Sequence, residues 1–195
     1  MQSCMFSGHC MEYQCDKSCP AFVQTTYLLE RNNISLNNTV FKSDSSAIID
    51  TLELLNVAKG KFNTVIDKVD TSKKADLITY CAICQNWVGS QLHCVVYHLK
   101  FSQYVEEIQK SWSKNESEIL EYMKIWSKSA KVLIISGMDF VNFKNFQCQT
   151  ILELIQQRNS NPDNTTIIVC PPISSLVGEG MFFSKLQDMI KKAVV

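Results

Sequence analysis

The sequence predicts an α/β protein with two parts, a small cysteine-rich metal-binding module followed by a three-layer domain built on a parallel sheet. From residue 47 to the end, segments with strand patterns alternate with segments of helical periodicity. The clearest strand, KVLIIS (131–136), is apolar on both faces, as strands between two helical layers are. Four of the nine cysteines fall within the first 19 residues, which marks the separate N-terminal module.

Length and composition limit the number of domains and the class of protein. A chain of 195 residues with 46% hydrophobic content can bury one main core and a small additional module. The 19 basic and 19 acidic side chains cancel, so net charge argues for neither a nucleic-acid nor a membrane partner. No signal peptide or run of about 18 apolar residues is present. We therefore expect a cytoplasmic protein without membrane association, whose cysteines are metal ligands or core residues.

The first predicted unit covers residues 1–33. Cys4, Cys10, Cys15 and Cys19 are separated by five, four and three residues, and thiolates this close in sequence need a shared cation. The spacing fits the paired ligands of structural zinc sites in part. The closing CDKSCP is similar to the end of the bacterial ferredoxin signature, which binds a [4Fe–4S] cluster. A metal centre is predicted, and zinc and [4Fe–4S] both remain open.

The next segments connect this module to the second unit. After Pro20, AFVQTTYLLER carries apolar residues at helical spacing and predicts a helix that packs against the cysteine-rich module. NNISLNNTVFKSDSS (32–46) is a polar stretch, and its residues 34–46 are predicted to form a linker. The second unit then covers residues 47–195.

The second unit alternates regularly between helix and strand patterns. In chain order the predicted elements are helix AIIDTLELLNVAK (47–59), strand KFNTVIDKV (61–69), helix KADLITYCAICQNWVGSQ (74–91), strand LHCVVYHLK (92–100), helices SQYVEEIQKSW (102–112) and ESEILEYMKIWSKS (116–129), strand KVLIIS, helix 143–157, strand TTIIVCPP (165–172) and helix FFSKLQDMIKKA (182–193).

The order and spacing of these elements resemble the ATPase domain of the DnaC/DnaI helicase loaders, a branch of the AAA+ P-loop family. The resemblance implies a P-loop NTPase-like sheet, in which the first strand leads into a glycine-rich loop ending in Gly-Lys-Thr. Here NTVIDKVDTSKKADL holds that place, with Lys74 at the loop lysine, Lys73 at its preceding glycine and Ala75 at the Mg²⁺-binding hydroxyl. The segment has no glycine to wrap backbone N–H groups around phosphates. Lys73 and Lys74 are therefore at most vestigial nucleotide-binding residues.

The later landmarks of the family are also degenerate. KVLIISGMD stands where the Walker B strand would be, with Ser136 and Gly137 at the two acidic positions and Asp139 two residues too late. TTIIVCPP ends without the sensor asparagine, and Lys185 replaces the arginine that would reach a neighbouring subunit. Arg158 does match an arginine of the family. Lacking functional Walker A and Walker B motifs, the chain is expected to use neither ATP nor Mg²⁺ and to have no catalytic residues.

The remaining cysteines, histidines and tryptophans are predicted to be core residues. Cys81 and Cys84 lie on one face of a predicted helix and are interpreted as buried thiols, as are Cys94, Cys148 and Cys170. His93 and His98 have no acidic or nucleophilic partner in the pattern, and no Ser/His/Asp arrangement is evident. Trp112 and Trp126 are interpreted as core residues, since an exposed tryptophan would instead suggest a partner interface.

Two functions remain from this pattern. The first is a non-catalytic, helicase-loader-like adaptor that binds a replicative helicase or a loader-like AAA+ protein. The zinc-binding module of DnaI-type loaders, which contacts the helicase, supports it. The alternative is an iron–sulfur protein with a redox-sensing or electron-transfer role on an inactive P-loop scaffold. Lys124, Lys128 and Lys131 are candidate contacts to single-stranded DNA.

Overall fold

The protein is described by a computed structural model over residues 20–34, 45–88, 95–113, 118–138 and 142–195. These ranges contain helices and strands in the predicted order. The helices are α1 (Pro20–Arg31), α2 (Ser45–Ala58), α3 (Thr71–Val88), α4 (Phe101–Ser111), α5 (Glu118–Ser129), α6 (Asn145–Asn159) and α7 (Met181–Lys192). The strands are β1 (Phe62–Ile66), β2 (Val96–Lys100), β3 (Val132–Ser136) and β4 (Thr165–Cys170).

The four strands form one parallel sheet in the order β1-β4-β3-β2. At the outer edge of β1, the end of the chain runs beside Thr64 in the same direction. The Thr64 N–H donates to the carbonyl of Ala193 at 2.6 Å, and the Val195 N–H donates to the carbonyl of Thr64 at 3.1 Å. The predicted parallel α/β sheet is confirmed.

Helices cover both faces of the sheet, because successive strand residues point to opposite sides. Leu133 and Ile135 of β3 face a core formed with α4 to α7, whereas Ile134 faces a second core formed with α1 to α3. The same alternation holds in β4, where Ile168 packs in the first core and Ile167 packs in the second. The three-layer architecture predicted from the sequence is therefore confirmed.

Helix α1, which the sequence groups with the cysteine-rich module, packs on the sheet domain. Leu29 and Ile34 are 0% and 4% exposed and belong to the core beneath α2 and α3. The helix ends in a Schellman motif, with Asn33 at φ 55° and the Ile34 N–H donating to the Leu29 carbonyl at 2.8 Å. Residues 1–19 and 35–44 lie outside the described ranges, so the division into two units stays a prediction.

Asn32 connects the end of α1 to the free edge of β2. Its side-chain Nδ2 donates to the Val96 carbonyl at 3.2 Å, and its Oδ1 accepts from the His98 N–H at 2.7 Å. The amide thus satisfies the outward-facing backbone groups that another strand would otherwise pair with. Asn32 is buried, although it begins the polar stretch that leads into the predicted linker.

Arg158 is a buried structural residue. Its guanidinium donates to the carbonyls of Ser127, Ala130 and Thr165 and to the Thr166 hydroxyl, at 2.8–3.0 Å. Burial lowers the pKa of Arg158 to about 10, so the group keeps its charge at neutral pH and complements the carboxyl end of α5. These partners surround the amino end of β4. The family-matched arginine therefore lies at the opposite edge of the sheet from the strand tips.

None of the described helices combines the length and the apolar composition that crossing a bilayer requires.

Candidate functional site

The candidate site is the edge of the sheet where the parallel strands end, since ligands of α/β sheets bind outside the carboxyl ends of strands. Three features meet there. The connection from β1 to α3 lies at one side, the tip of β3 lies at the centre, and the start of α4 follows β2. In P-loop proteins this edge binds the nucleotide phosphates and Mg²⁺.

The connection from β1 to α3 contains residues 67–70 and is held by its own carboxylates. Asp67 Oδ1 accepts hydrogen bonds from the N–H groups of Val69 at 2.9 Å and Asp70 at 3.0 Å. Asp70 Oδ1 accepts from the Lys73 N–H at 2.9 Å and so caps α3. These hydrogen bonds from the backbone and side chain of Lys73 lower the pKa of Asp70. A carboxylate thus lies at the helix start where a P-loop protein would bind a phosphate.

Lys73 and Lys74 lie in the first turn of α3, as the resemblance predicts. The Lys73 ammonium is 3.1 Å from Asp70 Oδ2 and is mostly exposed. Lys74 is half-buried, and its N–H donates to the Asp70 carbonyl at 3.1 Å. Ala75 is fully buried against the core. The Lys73 ammonium and the Lys73 N–H therefore already meet an anion of the protein itself.

Ser136, at the tip of β3, is part of a buried polar cluster. Its Oγ and the Nε2 of His98 share a hydrogen bond of 2.7 Å. On the other side of the imidazole, His98 Nδ1 is 3.4 Å from Oδ1 of Asp76 on α3. A serine, a histidine and an aspartate therefore lie in the order found in a catalytic triad.

The sequence-based expectations that His98 has no acidic or nucleophilic partner, and that no Ser/His/Asp arrangement exists, are wrong. The three residues are far apart in the chain, and the register of β2 and β3 brings two of them together. One signal in the sequence could have revealed it. His98 and Ser136 are polar interruptions of apolar strands, each two residues beyond an apolar side chain that faces α3.

The cluster is buried, whereas the triad of a hydrolase is open to its substrate. Ser136 is 2% exposed and His98 is 6% exposed, so a substrate carbonyl has no approach to the serine oxygen in the described structure. The contact between His98 Nδ1 and Asp76 is longer than a normal hydrogen bond, and Nδ1 has no other hydrogen-bond partner among the described residues. The cluster instead joins β2, β3 and α3 through polar contacts.

Gly137 occupies the second acidic position and is held by its surroundings. Its φ is 72°, and a Cβ built there would lie 3.0 Å from the Ser102 Oγ at the start of α4. Both the left-handed backbone and the close approach of α4 favour glycine. A side chain at this position would be strained by the backbone and would crowd the Ser102 hydroxyl. Asp139, which the sequence places two residues too late, lies outside the described residues.

The buried-thiol prediction is confirmed for Cys81, Cys148 and Cys170, whereas Cys84 is half-buried. Burial raises the pKa of Cys81, Cys148 and Cys170 to about 11. The pKa of Cys84 is raised to about 12, first by burial and then by the neighbouring Cys81 thiol. These thiols are therefore protonated at neutral pH and are poor nucleophiles. Cys94 and His93 lie outside the described residues.

The predicted metal ligands Cys4, Cys10, Cys15 and Cys19 also lie outside the described ranges. Within those ranges no group of three His, Cys, Asp or Glu side chains could hold a metal ion. The metal centre thus stays a prediction from the cysteine spacing, with zinc and [4Fe–4S] as its alternatives.

The remaining predicted contacts lie on the helical layers. Lys131 pairs with Asp163 at 3.5 Å, and Lys124 and Lys128 lie four residues apart on one stripe of α5. The prediction that Trp112 is a core residue is wrong, because the Trp112 side chain is 66% exposed. Its ring makes an edge-type contact with the ring of Phe146. Its place at the end of α4 leaves the ring beyond the layer that covers the sheet.

Comparison with solved structures identifies the fold. The chain is similar to a DNA replication initiation factor, with a TM-score of 0.53 and 12% identity over 84% of this chain and 47% of that one. The replication initiator DnaA bound to AMPPCP and single-stranded DNA matches with a TM-score of 0.57 and 10% identity, over 82% and 49%. The DnaC helicase loader matches with a TM-score of 0.50 and 12% identity, over 87% and 96%. The parallel α/β fold of this chain is therefore similar to that of the AAA+ P-loop domains of DnaA and DnaC.

The extent of these matches differs. The chain spans about half the length of the initiation factor and of the DnaA structure, and nearly all of the loader structure. At identities of 10–12%, these matches support a shared fold and do not establish a shared function. No protein-family profile matches the sequence, and no curated protein matches it.

Proposed function

We propose that this chain is a non-catalytic adaptor of DNA replication that binds a partner protein through an AAA+ scaffold without turning over ATP. The observation that carries the proposal is the Asp70 carboxylate on the N-terminus of α3, at the place of the nucleotide phosphates. An incoming triphosphate would have to displace this carboxylate from Lys73 and from the helix start, and would be repelled by it.

The tip of β3 supports the same proposal. Metal-assisted phosphoryl transfer requires an acidic side chain there to hold Mg²⁺ and to orient the attacking water. Ser136 is instead engaged with His98, and Gly137 has a left-handed backbone beside the Ser102 hydroxyl. Restoring the acids would therefore break the contact between Ser136 and His98 and place a strained side chain at residue 137.

The partner is proposed from the proteins that share the fold. They are replication initiators and a helicase loader, so we propose a replicative helicase or an active loader-like AAA+ protein as the partner. We expect the protein to act in the cytoplasm, where these partners are found.

The test pairs two measurements on the full chain. Titration calorimetry with ATP and Mg²⁺ should give no heat of binding, with a bona fide loader of the same cell as the positive control. Titration of the purified replicative helicase, and separately of that loader, should show saturable binding without added nucleotide. ATP binding would contradict the non-catalytic proposal. Failure to bind either protein would remove the replication role.

A second prediction concerns the buried serine. Because Ser136 is closed to solvent, a fluorophosphonate probe should leave the native protein unlabelled, whereas an active serine hydrolase of similar size is labelled. Labelling that disappears in Ser136→Ala would show that the polar cluster is a working nucleophile and would overturn the non-catalytic proposal.

The N-terminal cysteines support a metal-stabilised docking module as part of the same adaptor. The iron, zinc and sulfide contents of protein purified without oxygen distinguish zinc from a [4Fe–4S] cluster. The same contents are measured in a Cys15→Ser/Cys19→Ser variant for comparison. Stoichiometric zinc that is lost in the variant supports the adaptor. Several irons with matching sulfide would favour the alternative function, an iron–sulfur protein with a redox-sensing or electron-transfer role. Finding neither metal would contradict the metal module.

A further inference from the structure

The two outer edges of the parallel sheet are covered in different ways. At β2, the amide of Asn32 occupies the edge. At β1, a short extended segment, residues 193–195, runs parallel to the strand and places Val194 beside Thr64. Two backbone hydrogen bonds connect this segment to Thr64. The structure thus shows what kind of chain the edge of β1 accepts, namely an extended segment in parallel orientation.

The backbone of β1 offers this edge more hydrogen-bonding groups than residues 193–195 use. The Asp67 N–H donates to the Cys170 carbonyl of β4 at 3.1 Å, and pairing with β4 alternates along the strand, so residues 61, 63, 65 and 67 face β4. The residues between them direct their N–H and carbonyl groups outward: Phe62, Thr64 and Ile66. We call these outward groups the β1 edge. Within the described ranges, the outward groups of Phe62 and Ile66 have no hydrogen-bond partner.

The β1 edge borders solvent and includes a buried hydroxyl that lacks a partner. Val194 and Val195 are 47% and 51% exposed, so the segment that covers the edge is itself only half covered. The Thr64 hydroxyl is buried and has no hydrogen-bond partner among the described residues. A serine or threonine in the place of Val194 would lie directly beside Thr64 and would supply that partner.

We propose that the β1 edge binds an extended strand of a protein partner, which pairs parallel to β1, places a serine or threonine beside Thr64 and displaces residues 193–195. Strand addition to a sheet edge is a recurring mode of peptide recognition, in which main-chain hydrogen bonds give affinity and alternate side chains give specificity. A strand as long as β1, which has 5 residues, would also pair with Phe62 and Ile66. Exchange of one strand for the other therefore gains backbone hydrogen bonds.

The inference rests on the proposed function in one respect, that the partner is a protein. It adds the form that the partner takes where it binds, an extended strand, and the place on the sheet at which it binds.

The experiment uses labelled, valine-rich peptides of about seven residues, with threonine in the place of Val194. Fluorescence anisotropy on the full chain should show saturable binding. An N-methyl group on the residue after the threonine removes the N–H that corresponds to the Val195 donor, so it should weaken binding at least roughly tenfold. An N-methyl group on the threonine itself is the matched control. That N–H points away from β1, so binding should change little.

The side chain beside Thr64 is tested with a peptide that carries valine instead of threonine. This peptide should bind roughly threefold more weakly, because the Thr64 hydroxyl then stays without a partner. Equal binding of the threonine and valine peptides would contradict the proposed contact with Thr64.

Variants of the protein test the edge from the other side. Ile66→Pro removes an outward N–H and leaves the donors to β4 in place, so it should weaken peptide binding at least roughly tenfold. Ile66→Val keeps the N–H and should bind as wild type does. Removing Val194 and Val195 should strengthen binding, because the displaced segment no longer competes. The methylated peptides decide the question on the wild-type chain, independently of whether Ile66→Pro folds.

Three outcomes would overturn the proposal. The first is equal binding of the two methylated peptides, which would show that the backbone of the peptide does not pair with β1. The second is unchanged peptide affinity after Val194 and Val195 are removed, which would exclude displacement. The third is self-association of the chain that Ile66→Pro abolishes, which would assign the β1 edge to a second copy.

The same variants separate this inference from the proposed function. If the helicase or loader binds wild type, Ile66→Val and Ile66→Pro equally, the adaptor role stands and the β1 edge is excluded as its docking site. If neither protein binds but the threonine peptide binds and the methyl group after the threonine weakens it, the β1 edge stands and the replication role fails.

Discussion

A single amide, that of Asn32, connects the first helix to the sheet. It bonds to the Val96 carbonyl and the His98 N–H, and the same side chain also donates to the Leu28 carbonyl at 2.7 Å. Asn32→Ala should lower the free energy of unfolding by about 2 kcal/mol, because buried partners lose their hydrogen bonds. Urea unfolding followed by circular dichroism measures this.

The control for this prediction is Asn159→Ala. Asn159 is exposed at the end of α6, so its replacement should change the free energy of unfolding by no more than about 0.5 kcal/mol. Equal effects of the two substitutions would mean that the contact between Asn32 and β2 adds nothing to stability.

Cys81 is expected to make the free energy of unfolding fall at alkaline pH. Its pKa is raised to about 11 in the folded protein, above the ordinary value of 9.0, because burial disfavours the thiolate. Above pH 9 the unfolded state loses this proton while the folded state keeps it, so stability is full below pH 9 and falls as pH rises towards 11. By pH 10 the loss should reach about 1 kcal/mol.

The measurement compares urea unfolding of wild type and Cys81→Ala at pH 8 and pH 10. Both proteins contain the other titrating groups, so the difference between their pH slopes isolates Cys81. The variant should lose less stability than wild type over this interval. Parallel slopes would show that the thiol is accessible to solvent in the folded state.

At the level of elements, the connection into α3 is stabilised by its own acids. Asp70 accepts the Lys73 N–H and pairs with the Lys73 ammonium, so it is an N-cap residue and an ion-pair partner at once. Asp70→Ala should lower the free energy of unfolding, whereas Asp70→Asn should keep most of the wild-type value, because asparagine can also cap the helix. Chemical denaturation of both variants tests the cap, with Asp188→Ala, an exposed residue of α7, as the control. Equal loss in the alanine and asparagine variants would contradict capping.

The elements themselves were predictable, because apolar residues alternate in the strands and recur at helical spacing in the helices. KVLIIS predicts β3 to within one residue. The cluster of Ser136, His98 and Asp76 was not predictable from local pattern. Its members come from two strands and a helix, and only the register of the sheet brings them together.

The end of α1 shows a second limit of local pattern. Asn32 and Asn33 have the composition of a linker, yet one is buried at a strand edge and the other adopts the left-handed conformation that ends the helix. Asparagine suits both places, because its amide imitates a peptide group and it tolerates positive φ. Composition cannot distinguish these uses from a solvated linker.

At the level of the whole molecule, deletions test where the folded domain begins. Removing residues 1–19 should leave the cooperative unfolding of the sheet domain intact. Removing residues 1–34 also removes Leu29 and Ile34 from the core, so the free energy of unfolding should fall by at least about 3 kcal/mol. Urea unfolding and gel filtration of both proteins measure this. Equal stability of the two deletions would instead support a domain that begins after the predicted linker.

The amide that covers the edge of β2 has a consequence for solubility in the cell. An uncovered edge strand is a template on which other chains can add strands, and proteins avoid such growth by blocking the edge. Here Asn32 and the end of α1 block it, so any event that releases α1 would uncover two backbone groups beside the apolar side chains of β2. Release of one helix would thus convert a covered strand edge into a starting point for ordered aggregation.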